Sequence, residues 1–348
     1  MTRKTILIKA LALALLALSG CGTIPRESPP VIFWPLPPAE PRIKYVDYIM
    51  GSRDVTGALT GLSKILLFGE EPEIRFVKPG FACTNGNTVY VTDIGRLMLF
   101  DYDKKSYIQA ATDVMRNPTG LACLPDGRVI VGDSLFGTLY SISAPDYKSK
   151  RFASEAKFTS IGGMAVDAAR NRIYIADTKG HRIMVTDFEG NLIKTIGRRG
   201  GEPGDFNYPY AVAVGPEGRL YVSDAGNFRI QVLDSEGGYI TSFGSVGSQL
   251  GRFARPKGIA VDSEGHIYIV DSAFGNFQIF DETGLLYLSV GGAGSEPGTH
   301  LLPSGIHINT EDKIYIVDQM NRRVQIYQYI KHPDDPKPPL VQPKSKSK

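Results

Sequence analysis

The stretch from Pro256 to Gly291, PKGIAVDSEGHIYIVDSAFGNFQIFDETGLLYLSVG, decides the fold. It contains four short apolar runs, GIAVD, HIYIV, FQIFD and LLYLSVG. Turn-forming clusters separate them, including residues 262–265 (DSEG) and 281–284 (DETG). Alternation of apolar residues between such turns indicates strands joined by hairpins. The stretch therefore predicts four consecutive antiparallel strands.

The same pattern recurs along the chain. Close copies begin 47 residues before and after it, at Pro209 and Pro303, and looser copies begin near Pro79, Pro118 and Ile161. The second strand of every copy ends in an aspartate: Asp93, Asp133, Asp177, Asp224, Asp271 and Asp318. Four strands in a repeat of about 40 to 50 residues are typical of a propeller. A parallel α/β fold would need crossover helices, and no helical pattern separates these strands.

The copies resemble the NHL repeat, whose pattern is similar to P-x-G-I-A-V-D…I-Y-V-x-D-x-x-N-x-R-I-Q-V-F…G. The resemblance covers about residues 79–330 and implies an all-β, six-bladed β-propeller with four strands in each blade. Some six-bladed propellers are enzymes, namely calcium-dependent lactonases and a zinc-dependent amidating lyase with similar repeats. The carboxylate cluster of the lactonases and the histidine motif of the lyase are not matched in this sequence.

The last copy is one strand short, and the N-terminal part of the domain supplies a candidate for the missing strand. Residues 42–51, RIKYVDYIMG, resemble fourth strands such as GYITSFG. We predict that this strand completes the sixth blade and closes the ring, because an open propeller would leave an unpaired edge. In the insertion that follows, residues 52–78, the segment 61–68 (GLSKILLF) predicts one short amphipathic helix that covers the propeller.

Residues 1–20 have the layout of a bacterial lipoprotein signal peptide. Three basic residues precede a nine-residue apolar run from Ala10 to Leu18, and small residues precede Cys21. The run is too short to span a bilayer. LSGC, which ends at Cys21, resembles a lipobox, and the resemblance implies cleavage before Cys21 and lipid attachment to its sulfur. In lipoproteins of this type Gly22 favours the outer membrane, on either its periplasmic or its surface side.

Proline-rich segments flank the repeats. Residues 21–41 contain seven prolines and predict a semi-rigid tether, in which Phe33 and Trp34 are expected to pack on the domain. Residues 331–348 lack apolar periodicity and predict a disordered tail.

The charge of the chain excludes one class of partner. The formal net charge is +3, and removal of the signal peptide takes away three positive charges, so the mature chain is near neutral. A nucleic-acid-binding domain would carry a basic footprint, which this sequence lacks. We expect a monomer that contacts a membrane through its lipid anchor, binds a protein, peptide or glycan, and uses no cofactor.

The repeated aspartates are better explained as structural residues than as metal ligands. One aspartate at the same turn in every copy is expected to accept backbone N–H bonds locally. Several residues follow the aspartates at matching offsets and are predicted to join neighbouring blades: Asn227, Asn321, Arg182, Arg229 and Arg323.

Cys83 and Cys123 occupy similar inner-strand positions in adjacent copies. A disulfide requires Cα atoms within about 7 Å. Because equivalent inner strands of neighbouring blades are expected to lie farther apart, we predict two buried thiols.

His307 stands where the other copies carry alanine: Ala82, Ala122, Ala165, Ala213 and Ala260. A histidine in this slot needs extra space, which predicts a place near the central channel. His300 precedes it by seven residues in the entering loop, and the two histidines are the channel candidates. Zinc needs a third protein ligand, so the favoured interpretation is one hydrogen-bonded channel histidine.

Long, similar loops enter the last three blades: RRGGEPGDFNYP, SVGSQLGRFARP and GAGSEPGTHLLP. The positions of Phe206 and Phe253 recur, which predicts a packing role. Arginine and aromatic residues are enriched at interaction hot spots. The side chains that do not recur are the predicted binding residues: Arg199, Tyr208, Tyr210, Arg255 and Lys257.

Two functions are compatible with these features. The favoured one is a non-catalytic, lipid-anchored binding scaffold of the cell envelope, for which no catalytic residue is assigned. The alternative is a zinc- or calcium-dependent hydrolase or lyase with its site at the channel mouth near His307. G-x-S-x-G, H-E-x-x-H and phosphate-binding loop motifs do not occur in the sequence.

Overall fold

The computed structural model describes residues 28–57, 72–153 and 155–332. The predicted signal peptide, the predicted lipidation site Cys21, the helix expected at 61–68 and most of the predicted tail lie outside these residues. Among the described residues, no helix combines the length and the apolar character needed to cross a membrane.

Six antiparallel sheets form the blades. Blade 1 comprises β3 (Ala82–Asn85), β4 (Thr88–Asp93), β5 (Arg96–Asp101) and β6 (Ser106–Ala110). Blade 2 comprises β7 (Pro118–Cys123), β8 (Val129–Asp133), β9 (Thr138–Ile142) and β10 (Ser149–Phe152). Blade 3 comprises β11 (Ile161–Asp167), β12 (Arg172–Asp177), β13 (Arg182–Thr186) and β14 (Leu192–Ile196). Blade 4 comprises β15 (Pro209–Val214), β16 (Leu220–Asp224), β17 (Arg229–Leu233) and β18 (Tyr239–Phe243). Blade 5 comprises β19 (Pro256–Val261), β20 (Ile267–Asp271), β21 (Asn276–Phe280) and β22 (Leu286–Gly291). Blade 6 comprises β23 (Ile306–Ile308), β24 (Lys313–Asp318), β25 (Arg323–Tyr329), β2 (Ile43–Ile49) and β1 (Phe33–Trp34). The prediction of a six-bladed propeller is confirmed.

In the part of the chain that the structure describes, helical structure is confined to single turns. Helix α1 spans Arg53–Thr56 at the start of the insertion, and 3-10 turns lie at Ala168–Arg170, Thr178–Gly180, Pro216–Gly218 and Ala225–Asn227. The second and third strands of each blade form the core because neighbouring sheets cover both of their faces. All five residues of β20 are buried, for example, whereas β18 at the outer edge is mostly exposed. The repeat therefore buries its apolar residues between blades.

The N-terminal strand closes the ring as predicted. β2 pairs antiparallel with β25 of blade 6, from Ile43 opposite Tyr329 to Ile49 opposite Val324. Tyr45 is buried and meets the ring of Tyr327 edge-on, with 5.4 Å between centroids. The predicted tether adds β1 as a fifth strand, and Trp34 packs on the domain against the ring of Tyr327, as expected. Phe33 is partly buried and pairs with Lys44 in the strand, and its packing stays a prediction.

The start of the predicted tail also contacts the domain. The Nζ atom of Lys331 lies 2.9 Å from a carboxylate oxygen of Asp312, and Nδ1 of His332 lies 3.1 Å from one of Glu40. The two ends of the propeller domain therefore meet at blade 6.

The repeated aspartates fix the loops that enter each blade, which confirms their structural role. All six side chains are fully buried. Asp224 accepts a hydrogen bond from the backbone N–H of Asn207 at 2.7 Å and pairs with Arg229 at 2.9 Å. Arg229 in turn donates to the carbonyls of Glu202 and Asp205 in the loop from blade 3. Each buried carboxylate is thus satisfied by backbone N–H groups of the loop, as burial of charge requires. In four blades an arginine also pairs with it, and Asp133 and Asp271 accept further backbone N–H bonds from the turn that follows them.

We expect replacement of Tyr45 to weaken the closure. Tyr45→Ala removes a large buried ring from the contact with Tyr327 and should lower the free energy of unfolding by about 3–5 kcal/mol, measured by chemical denaturation. Lys44→Ala, on the exposed side of the same strand, is the control and should change it little. Equal stability of the two variants would contradict the closing role of β2.

Candidate functional site

The inner strands of the six blades surround a channel with two different ends. The loop face, defined by loops 197–208, 244–255 and 291–302, is where the inner strands begin. The turn face, defined by hairpin turns such as 84–87 and 309–312, is where they end. A cavity of about 230 Å³ between them is lined by inner-strand residues of all six blades, most of them small or aliphatic.

Two aromatic rings narrow the channel at the loop face. Phe81 of blade 1 and Tyr210 of blade 4 stack with 5.8 Å between ring centroids and 24° between their planes. Blades 1 and 4 are opposite members of a ring of six, so these side chains meet across the axis. Burial raises the pKa of Tyr210, which keeps its phenol neutral at physiological pH.

Lys257 lies on this aromatic pair. Its Nζ atom is 5.5 Å from the centroid of the Tyr210 ring, a cation–π distance. Burial lowers the pKa of Lys257 to about 8, with a smaller contribution from the positive charges of Arg255 and Lys78. Among the described residues, no carboxylate pairs with any of these three side chains. The loop face therefore carries concentrated positive charge over an aromatic floor.

The predicted binding residues are only partly brought together. Tyr210, Arg255 and Lys257 belong to the cluster just described. Tyr208 packs on His181, with 4.5 Å between ring centroids, and its backbone N–H donates to Nδ1 of that histidine. Arg199 is exposed in the same loop, where its backbone bridges to Phe206.

Sequence reasoning missed Phe81 because blade 1 is shifted by one residue. Its inner hairpin pairs Cys83 with Tyr90, whereas in blade 5 the residue opposite the equivalent Tyr268 is Ala260. Cys83, and not Ala82, therefore occupies the slot of His307. Phe81 falls in the slot that is glycine or alanine in the other blades: Gly120, Gly163, Ala211, Gly258 and Gly305.

The same shift corrects the prediction of two buried thiols. Cys83 and Cys123 form a disulfide with 5.9 Å between their Cα atoms. The expectation was wrong because the two cysteines do not occupy equivalent positions. Offset by one residue along neighbouring inner strands that converge on the axis, they come within bonding distance.

His307 lines the channel, as predicted. Its Nε2 accepts a hydrogen bond from the backbone N–H of Thr84 at 3.2 Å and lies 3.0 Å from the Thr84 hydroxyl. Because a backbone N–H can only donate, Nε2 carries the lone pair and the ring proton is on Nδ1. Burial lowers the pKa of His307 to about 4, so the imidazole is neutral at physiological pH.

The channel does not fit a catalytic metal. Around the axis, the slot of His307 is otherwise filled by Cys83, Ala122, Ala165, Ala213 and Ala260. Within the described part of the chain, no three His, Cys, Asp or Glu side chains converge so as to hold a metal ion. A single neutral imidazole supplies one ligand, which is fewer than zinc or calcium requires.

The structure places His300 away from the channel. It is fully buried in the position of Phe206 and Phe253, since all three make the same isolated bridge in their entering loops. Its Nδ1 lies 3.0 Å from the carbonyl of Gly275, and its Nε2 lies 2.8 Å from the hydroxyl of Tyr327. Burial lowers its pKa to about 4. His300 is therefore a packing residue with satisfied nitrogens.

Comparison with known proteins agrees with this architecture. Residues 206–233 match the NHL repeat, and residues 262–332 match a six-bladed β-propeller family. The chain is a six-bladed β-propeller of NHL-type repeats. No curated protein matches it.

Solved structures resemble this propeller at low sequence identity. A Bacteroides thetaiotaomicron protein of unknown function has a TM-score of 0.60 and 19% identity, over 75% of this chain and 71% of that one. An auxiliary nutrient binding protein of the same organism has a TM-score of 0.57 and 15% identity, over 74% and 70%. Virginiamycin B lyase of Staphylococcus aureus, crystallised with quinupristin, has a TM-score of 0.54 and 14% identity, over 73% and 95%. At these identities the likeness shows the fold alone.

We expect the disulfide to stabilise the propeller. Cys83→Ala with Cys123→Ala opens a loop of 40 residues, and loss of such a link should lower the free energy of unfolding by about 3–4 kcal/mol, measured by denaturant titration. The control is the unsubstituted protein in reductant, which should approach the variant. Two titratable thiols in unreduced, denatured protein would contradict the link.

Proposed function

We propose that this protein is a lipid-anchored binding propeller of the bacterial cell envelope, and that its loop face holds an acidic segment of a protein or peptide partner. The observation that carries the proposal is the charge of Lys257. Burial disfavours its cationic form, and the charged groups that act on it most strongly are the cations Arg255 and Lys78. A carboxylate placed there would relieve both penalties.

The shape of the loop face supports a binding role. The stacked rings of Phe81 and Tyr210 give a flat apolar floor, and the cations surround it. Aromatic and arginine side chains around a desolvated centre are the usual composition of an interaction hot spot. An acidic residue next to an apolar one would satisfy both parts of this surface.

The proposed location rests on two features. The lipobox-like sequence at Cys21 favours membrane anchoring, and the Cys83–Cys123 disulfide fits an oxidising compartment such as the periplasm. The nutrient-binding relative is a binding protein with the same fold, in keeping with this function. The lyase relative suggests the alternative of an enzyme, but His307 has no second metal ligand in its slot, so binding is the function that we propose.

A peptide-binding experiment tests the loop face. The wild-type protein should bind a fluorescein-labelled peptide of alternating Glu and Phe, and should bind its Lys–Phe counterpart far more weakly, in fluorescence anisotropy at low salt. Lys257→Met should weaken binding about tenfold or more, because it removes a charge-assisted contact. Affinity should also fall as the pH rises through about 8, where Lys257 loses its proton.

Lys150→Met is the matched control, because Lys150 is exposed on the outer strand of blade 2. It should leave the affinity unchanged. Equal binding of the acidic and basic peptides, or no effect of Lys257→Met, would reject the proposal.

The unpaired lysine should also destabilise the protein. The pKa of Lys257 falls from 10.5 to about 8 on folding, so between these values the unfolded chain binds a proton that the folded chain has released. Stability of the wild-type protein should therefore rise with pH across this window. We expect Lys257→Met to melt at a higher temperature than wild type at pH 7, and the difference to shrink by pH 10. A lower melting temperature of the variant at pH 7 would show that Lys257 stabilises the fold.

A further inference from the structure

A second, larger cavity opens on the turn face. It has a volume of about 650 Å³, within the usual range of about 300–1,000 Å³ for small-molecule sites. It lies where blade 6 adjoins blade 1, between the turns 84–87 and 309–312. Its inner end is His307, which also lines the channel cavity. We call this cavity the seam cleft.

The seam cleft lies where the inner hairpin of blade 1 departs from the repeat. Blade 1 turns tightly at Gly86 and Asn87, so that four residues separate the paired Thr84 and Val89. The equivalent segment of blade 6, between the paired Ile308 and Ile314, has five residues. The shorter hairpin of blade 1 therefore leaves space beside blade 6 at the turn face.

Three neutral polar side chains offer unused hydrogen-bonding groups in this cleft. Nδ1 of His307 carries the ring proton, because Nε2 accepts from Thr84. Asn309 uses its side-chain oxygen to accept from the backbone N–H groups of Glu311 and Lys313, which leaves its amide NH₂. Across the described ranges, neither that NH₂, nor Nδ1 of His307, nor either end of the Asn85 amide has a protein partner.

The rest of the wall is apolar or charged. Val89 and Ile326 form its apolar part. The Nζ of Lys313 pairs with Glu311 at 2.9 Å, and Asp47 adds a carboxylate that accepts from the backbone N–H of Tyr48. The cleft therefore combines neutral donors and acceptors with an apolar wall, and the described residues that line it include no unpaired cation.

We propose that the seam cleft binds a neutral sugar of one or two rings. Adjacent hydroxyls of a sugar both donate and accept, which suits an amide such as Asn85 and an imidazole with one free N–H. The C–H faces of the ring suit the apolar wall. An anionic ligand finds no unpaired cation among the described residues of the wall, because Lys313 is already paired with Glu311.

This site is independent of the proposed function. It lies at the opposite end of the channel from Lys257. Its one lysine is paired with a carboxylate, whereas among the described residues no carboxylate pairs with Lys257. Either site could bind its ligand if the other did not.

The test is calorimetric titration of the folded protein with maltose, cellobiose, lactose and chitobiose, with glucuronic acid and glucosamine as charged probes. We expect at least one neutral disaccharide to bind and the charged sugars to bind more weakly. Asn85→Ala and His307→Ala should each weaken that binding about tenfold, by loss of one or two hydrogen bonds. His307→Ala installs the residue that four other blades carry in this slot, so it should be tolerated sterically.

Asn191→Ala is the control, because Asn191 lies in an exposed hairpin turn of blade 3 outside the cleft. It should bind the sugar like wild type, and so should Lys257→Met. The proposal is overturned if no neutral disaccharide binds, or if neither Asn85→Ala nor His307→Ala weakens binding. Loss of sugar binding in Lys257→Met would overturn the separation of the two sites.

Discussion

The buried aspartate at the end of each second strand is the constraint on which the propeller depends. A carboxylate removed from water must be fully satisfied. Here the backbone N–H groups of the entering loop do this, joined in four blades by an arginine. Asp271, for example, accepts from the backbone N–H groups of Ala254 and Arg255. The chain therefore enters every inner strand at a fixed point, and this positions the first residues of the strand next to the channel axis. Lys257 and Tyr210 owe their positions to this anchoring.

Around the axis, space becomes the second constraint. Six strands converge there, so glycine and alanine fill most slots. A Cβ atom on Gly163 would lie within 2.5 Å of the Ala211 Cβ and 2.9 Å of the Phe81 ring. A larger residue is accommodated only where its neighbours leave room or bond to it. Phe81 stacks on a ring from the opposite blade, Cys83 is linked to its neighbour, and His307 is hydrogen-bonded to Thr84.

The sequence was sufficient for the architecture but not for the site. Strand alternation and the repeated aspartate predict six blades, and the incomplete last copy predicts closure by residues 42–51. The register of blade 1 was not predictable from its alanine, because Ala82 and Cys83 are both small enough for the same slot. That single-residue ambiguity concealed both the Phe81–Tyr210 stack and the disulfide. The similarity of the entering loops likewise concealed that His300 replaces a phenylalanine, since packing and channel positions look alike without the fold.

The departures from the repeat are not scattered but concentrate where the ring closes. Blades 2 to 5 join neighbours that follow them directly in the chain, so one interface can be repeated between them. Blade 6 must instead join blade 1 across the chain ends, with the strand β2 and an insertion between them. The inner hairpin of blade 1 is shorter at this junction, and the Nε2 atom of His307 bridges it by contacts with the backbone N–H and the hydroxyl of Thr84. The interface between blades 6 and 1 cannot be a copy of the other interfaces, and it is open at the turn face. It is also the interface where His307 replaces the alanine of the repeat.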